Sequence, residues 1–161
     1  MEPYSEAVLR ERGVDASGFV ARELTADLVV RADLVLTATR EHRAAVVGLV
    51  PAAVRRSFTL KEFARLSGLV RDAELARNAE LARGLGSPTA EDLVSTASTR
   101  VDWAGRVRGL GDRQQPDADD IGDPIGAPLQ IYVARAAEID QACAQAVELL
   151  LGRERPSSPD R

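Results

Sequence analysis

The chain has a single cysteine, Cys143, which excludes an intramolecular disulfide and any cysteine-rich metal site. Its single histidine, His42, leaves little for a histidine-based zinc centre. Aromatic residues are scarce, with one Trp, two Tyr and three Phe, and the sequence is rich instead in Ala, Arg, Leu and Val. The formal net charge is only −4, so no basic field advertises binding to nucleic acid or to an anionic membrane. No apolar run approaches the length of a membrane span, and the first residues lack the basic-then-apolar build of a secretory signal. The expectation is a cytoplasmic protein with neither nucleic acid nor membrane as a partner. No internal repeat is visible.

What is present suits a globular domain. Apolar residues make up 45% of the 161 and charged residues 29%, values that separate the chain from disordered sequences. Pro3 to Arg12 reads as a short helix, with proline in its first turn and Gly13 as its stop. In "TADLVVRA", Thr25 is the expected N-cap of a second helix whose apolar face is Leu28, Val29 and Ala32. The segment Asp33 to Thr39 follows. Its continuously apolar core, Leu34-Val35-Leu36, predicts a strand buried on both faces. "REHRAAVVGLV" predicts a helix stopped by Pro51, and Arg55 to Leu60 a second strand. Thr59 and Glu62 then stand at capping-box spacing before the helix "KEFARL". Helix, strand, helix, strand, helix with short joins predicts an α/β layer with a parallel sheet.

From residue 67 to 111 the texture becomes helical, and this stretch is expected to be a helical insertion within a single domain of residues 1–152. The polar loop "DRQQPDADDIGDPIGAP" leads into a last helix, Leu129 to Gly152. Tyr132, Ala136, Ile139, Cys143, Ala146, Val147 and Leu150 define its expected buried face. Residues 153–161 are polar and expected to be a disordered tail.

Three sets of residues invite a chemical reading. Cys143 falls on the apolar stripe of the last helix with no basic neighbour to hold a thiolate, so a packed, inert thiol is expected. A phosphate-cradling loop requires an arginine six positions on, where Leu149 stands. His42 lies just beyond the C-terminal end of a predicted strand, where ligand crevices of open α/β sheets occur, although a lone surface histidine is ordinarily just solvated. Asp119, Asp120 and Asp123 belong to a loop, and loop aspartates make turns and cap helices. Asp123, fixed by Pro124, also suits a general acid that protonates a poor leaving group such as a phenolate, whose pKa is about 10.

Taken together, "EAVLRERGVDASGFVARELTADLVVRADLVLTATREHRAAV", then "SFTLKEFARL", then "DDIGDPIGAPLQIYVARAAEID" resemble the low-molecular-weight protein-tyrosine-phosphatase family. The three blocks stand in that family's order and cover about half of the chain. The resemblance implies a flavodoxin-like fold with a four-stranded parallel sheet, hydrolysis of phosphomonoesters through a cysteinyl phosphate, and no cofactor or metal. It makes Asp123 the general acid and a phosphorylated protein or small phosphoester the substrate. The family's nucleophile stands in a Cys-x5-Arg loop after the first strand, and this sequence has no such loop. By that likeness, about forty residues on the usual size of a βαβ unit are missing ahead of Pro3. Ile125 also stands where family members commonly place an aromatic that flanks a phenyl ring.

The expectation is therefore an incomplete flavodoxin-like α/β domain, inactive as written, whose coding sequence starts upstream of Met1. Removing a central first strand would leave the Asp33–Thr39 strand with an open edge, a place for self-association. Two other readings stay open: a non-catalytic interaction module built on the same fold, and an arsenate reductase relative.

Overall fold

The computed structural model describes residues 2–83, 97–108 and 118–151, with side chains of the long fourth helix described as far as residue 74. The described chain is mixed α/β and mostly helical. Helix α1 spans Pro3–Glu11, α2 Ala26–Arg31 and α3 Arg40–Leu49. Helix α4 spans Leu60–Arg83, α5 Ala97–Val107 and α6 Leu129–Leu151. Strand β1, Val35–Thr37, pairs in parallel with β2, Ser57–Thr59, with Val35 opposite Ser57 and Thr37 opposite Thr59. A 3-10 turn, Pro51–Ala53, joins α3 to the second strand. The expected tail at 153–161, and residues 84–96 and 109–117 of the helical insertion and the loop after it, lie outside the described residues.

Local chemistry sets the starts and stops. Thr25 accepts a hydrogen bond from Leu28 N–H, Thr39 from His42 N–H at 3.1 Å, and Thr59 from Glu62 N–H at 3.1 Å. Each hydroxyl satisfies an orphan donor in a first helical turn, a contribution of about 1 kcal/mol per cap. Helix α1 stops where Gly13 takes a φ of 72° and its N–H donates to Arg10 O. Helix α4 is continuous through residue 67. The expected start of the insertion therefore falls inside a helix, where Ser67 donates its hydroxyl to Ala64 O at 2.6 Å.

Side chains pack against both faces of the two-stranded sheet, fully over β2 and partly over β1. On one side Val29, Val46 and Ala53 are buried together, with Val35 and Val50 packed against them. On the other side lies the larger core: Phe58, Phe63, Leu66 and Val70 with Val101, Ala104, Ile121, Ala142, Ala146 and Leu149. The Phe58 and Phe63 rings meet edge to face, 5.1 Å apart. Burial is uneven between the strands. All three residues of β2 are buried, whereas Leu36 of β1 is 39% exposed. The expected burial of the first strand on both faces is thus corrected. Among the described residues no strand pairs with the outer edge of β1.

The last helix also differs from its sequence reading. Tyr132, Ala142, Ala146 and Leu149 are buried, but Ile139, Cys143 and Val147 of the expected core stripe are exposed. Helix α6 turns one flank to α4 and another, over its first half, to α1. The ring of Tyr4 meets that of Tyr132 edge to face at 5.4 Å, and Arg12 is bonded to Asp140 at 2.7 Å. Helix α1 stops at Glu11, and among the described residues nothing covers the Cys143 and Val147 side of α6, although Ala146 on the opposite side is buried. No helix among the described residues is long and apolar enough to cross a membrane.

Candidate functional site

The loop that carries the three aspartates lies against the C-terminal ends of both strands. Ile121 N–H donates to Ala38 O at 2.9 Å, directly after β1, and the Ile121 side chain enters the core. Thr59, at the end of β2, donates its hydroxyl to Asp119 O at 2.8 Å. In open α/β sheets this rim is where ligands bind.

The aspartates divide into two kinds. Asp119 and Asp120 hold the loop in place. The Asp119 carboxylate accepts two bonds from Arg65, at 3.3 and 2.8 Å, and this pairing raises the pKa of the guanidinium. The Asp120 carboxylate accepts the Arg40 N–H at 2.7 Å, which satisfies an orphan donor at the start of α3. Lys61 Nζ donates to Asp120 O at 3.3 Å. Asp123 has a different setting. It is exposed, and its Oδ1 accepts the N–H of Ile125 at 2.9 Å, an Asx turn around Pro124. Pro124 O accepts Ala127 N–H, Gly126 takes a φ of 80°, and α6 begins three residues later. Ile125 is 74% exposed at the tip.

Beside Asp123 runs an apolar groove. One hollow of about 270 Å³ lies between Val8, Leu9, Pro124, Tyr132 and Ala136, with Arg135 at its side. A second, of about 190 Å³, is lined by Leu36, Thr37, Ala38 and Leu60. Ile121 and Ile139 line both hollows and join them. The groove therefore leads from the aspartate loop to the open edge of β1. At its α1 end, burial and then the Glu2 carboxylate keep the Tyr132 phenol above its usual pKa. Burial pushes Glu2 upward, but hydrogen bonds from the Ser5 and Tyr4 N–H groups, Ser5 Oγ and the Tyr132 hydroxyl outweigh it, and its pKa is lowered.

The other candidates stand away from this constellation. Cys143 is exposed, which corrects the expected packed thiol; it lies on the same flank of α6 as the exposed Ile139 and Val147. His42 is exposed in the first turn of α3, and its main-chain N–H is taken by Thr39. Among the described residues no cluster of three His, Cys, Asp or Glu side chains is placed to hold a metal ion.

Sequence reasoning missed the arginines that fasten the sheet. Arg43 donates to Ser57 O at 2.7 Å, and Arg108 to the same oxygen at 2.6 Å and to Val54 O at 3.0 Å. Arg56 donates to Ala32 O at 2.8 Å, beyond the end of α2. Their only sequence signal was an abundance of arginine, which reads equally as solvated surface.

Compared with protein-family models, with curated proteins and with solved structures, the chain matches none.

Proposed function

We propose that this chain supplies the acid side of a phosphoester-cleaving α/β site like that of the low-molecular-weight protein-tyrosine phosphatases. The nucleophile then comes from a further strand added at the open edge of β1. The observation that carries the reading is the bond from Ile121 N–H to Ala38 O, which fastens the Asp123 loop where β1 ends. A strand added in parallel along the β1 edge would finish beside that loop. A thiolate in the turn after it would face a carboxylic acid across the groove. The sheet would then extend toward a flavodoxin-like arrangement.

In that reaction the thiolate sulfur attacks phosphorus and the P–O bond to the leaving group breaks. Asp123 gives its proton to the departing oxygen, and water later releases phosphate from the cysteinyl phosphate. A phosphorylated protein or a small phosphoester is the substrate, and no cofactor takes part. On this reading the exposed Ile125 takes the place of the family's usual aromatic, which favours a phosphoester without a phenyl ring over phosphotyrosine.

Hydrolysis of p-nitrophenyl phosphate tests the proposal. The chain alone is expected to be inert. A version extended at its N-terminus by a strand, a Cys-x5-Arg turn and a helix is expected to turn over. In that version Asp123→Asn should lower the rate by about 10² to 10⁴. Asp123-dependent turnover by the chain alone, or inertness of the folded extended version, overturns the reading.

A non-catalytic interaction module is the second reading, favoured by the engagement of Asp123 Oδ1 in its own turn. Under that reading the extended version binds its added strand but stays inert. An arsenate reductase relative is disfavoured, because such enzymes relay electrons through several cysteines and this sequence has one.

A further inference from the structure

The two edges of the sheet are treated differently. On β2 the outward carbonyl of Ser57 accepts from both Arg43 and Arg108, so that edge is sealed. On β1 the parallel register turns Val35 toward its partner, with Val35 N–H bonded to Arg56 O at 2.9 Å. The alternation of a strand then turns the N–H and C=O of Leu36 outward. Next to this edge stands the flank of α6 whose Ile139, Cys143 and Val147 are exposed, with no described residue packed over it. Ile139 lines the same hollow as Leu36, and Cys143 and Val147 follow it at one-turn intervals.

We infer that this combined surface binds a second copy of the chain across a two-fold axis. Three features single out that occupant. A strand with one outward-facing residue is self-complementary, since Leu36 of each copy can give its N–H to, and accept at its C=O from, the other. A two-fold perpendicular to the sheet keeps both α6 helices on one face, so each Ile139–Cys143–Val147 flank meets its own copy. Charge allows this. Among the described residues of α6, Arg135 and Glu138 pair with each other, Asp140 with Arg12, and Glu148 with Arg71. Two like flanks therefore meet with no uncompensated charge between them.

The inference stands on the edge and the flank, and it does not require the phosphatase reading. The two share the β1 edge, so a docked strand and a second copy would exclude one another.

Cys143, the only cysteine and an exposed one, is a built-in reporter for the full chain. Sedimentation equilibrium is expected to show a concentration-dependent dimer, and a short bismaleimide, adding one thiol at each end, to give a single cross-linked dimer. Val147→Asp, at a side chain 49% exposed, should raise the dimer Kd by about tenfold or more and remove the cross-link. Leu36→Pro, which deletes the edge N–H, should do the same, with circular dichroism to check its fold. A monomer at every concentration, or a dimer and cross-link unchanged by Val147→Asp, overturns the inference.

Discussion

The guanidinium of Arg108 lies 4.1 Å above the ring of Phe58 while its Nη2 donates to Ser57 O, the carbonyl just before that ring. One side chain thus closes the edge of β2 and covers its largest core residue. Its Nε stands 2.8 Å from the Glu62 carboxylate, and burial lowers its pKa, with Glu62 acting in the opposite sense. Replacing it removes a cation–π contact and the hydrogen bonds to Val54 O, Ser57 O and Glu62, and leaves the largely buried Glu62 carboxylate without its partner. Arg108→Ala is expected to destabilise the fold by about 3 kcal/mol in urea denaturation. Arg108→Lys should recover only a minor part, because a point charge cannot serve both carbonyls and the carboxylate. A loss below about 0.5 kcal/mol would mean the arginine is ordinary surface.

The three loop aspartates should separate cleanly by mutation. Asp119→Ala breaks a two-bond pair with Arg65, and Asp120→Ala frees a helix N–H, each expected to cost about 1–2 kcal/mol. Asp123→Asn keeps an Oδ1 that accepts the Ile125 N–H, so stability should stay within about 0.5 kcal/mol of the parent. Chemical denaturation of the three variants checks this. A large loss for Asp123→Asn would make it a structural residue like its neighbours.

The sequence was readable where a few residues decide the matter locally. The hydroxyls of Thr25 and Thr59 cap the helices expected of them, and the left-handed Gly13 ends the first helix one residue from where the pattern placed its end. The parallel pairing of the two strands also followed from their alternation with helices. The phase of α6 did not. Apolar residues occupy Ile139, Cys143 and Val147 as well as Ala142, Ala146 and Leu149, so periodicity alone does not say which flank is inside. The long-range fact that decides it is the packing of α6 on α4, which buries Ala142, Ala146 and Leu149 with Phe63, Leu66 and Val70. The open edge of β1 has the same origin: a strand's burial depends on neighbours that its own residues do not encode. Nor does "DDIGDP" show which carboxylate is tied down, since that depends on Arg40 and Arg65, remote in sequence.

The pH dependence of stability should carry the mark of the α1–α6 contact at both ends. Glu2 has a folded pKa below the usual glutamate range, so its contribution is present above that range and is lost as pH falls through the folded value. Tyr132 has a folded pKa above the usual tyrosine value. Its contribution is complete below that value and is lost as pH rises through the folded one. Thermal melts of the parent should fall off at both extremes. Glu2→Gln should flatten the acid limb and Tyr132→Phe the alkaline limb, and because each group shifts the pKa of the other, each change should also weaken the opposite limb to a smaller extent. A melting profile in which neither limb changes would show that the contact is absent in solution.

Two helical glycines make a matched test of packing. A Cβ added at Gly68, in the middle of α4, would meet nothing within 4 Å, whereas one added at Gly105 in α5 would lie 2.6 Å from Arg55 O. Both changes gain helix propensity, by about 1 kcal/mol. At Gly68 that gain is unopposed, so Gly68→Ala should stabilise the protein by about 0.5–1 kcal/mol. At Gly105 the obstacle is backbone and not the free end of a side chain, so α5 must move away from the turn before β2. That shift would loosen Ala104, which is fully buried, and Arg108, which holds Ser57 O and Val54 O. Overpacking of this kind costs about 1–3 kcal/mol, so Gly105→Ala should be destabilising overall. Urea midpoints that move in opposite directions confirm the close approach of α5 to the sheet. Equal stabilisation at both sites would show that it does not exist.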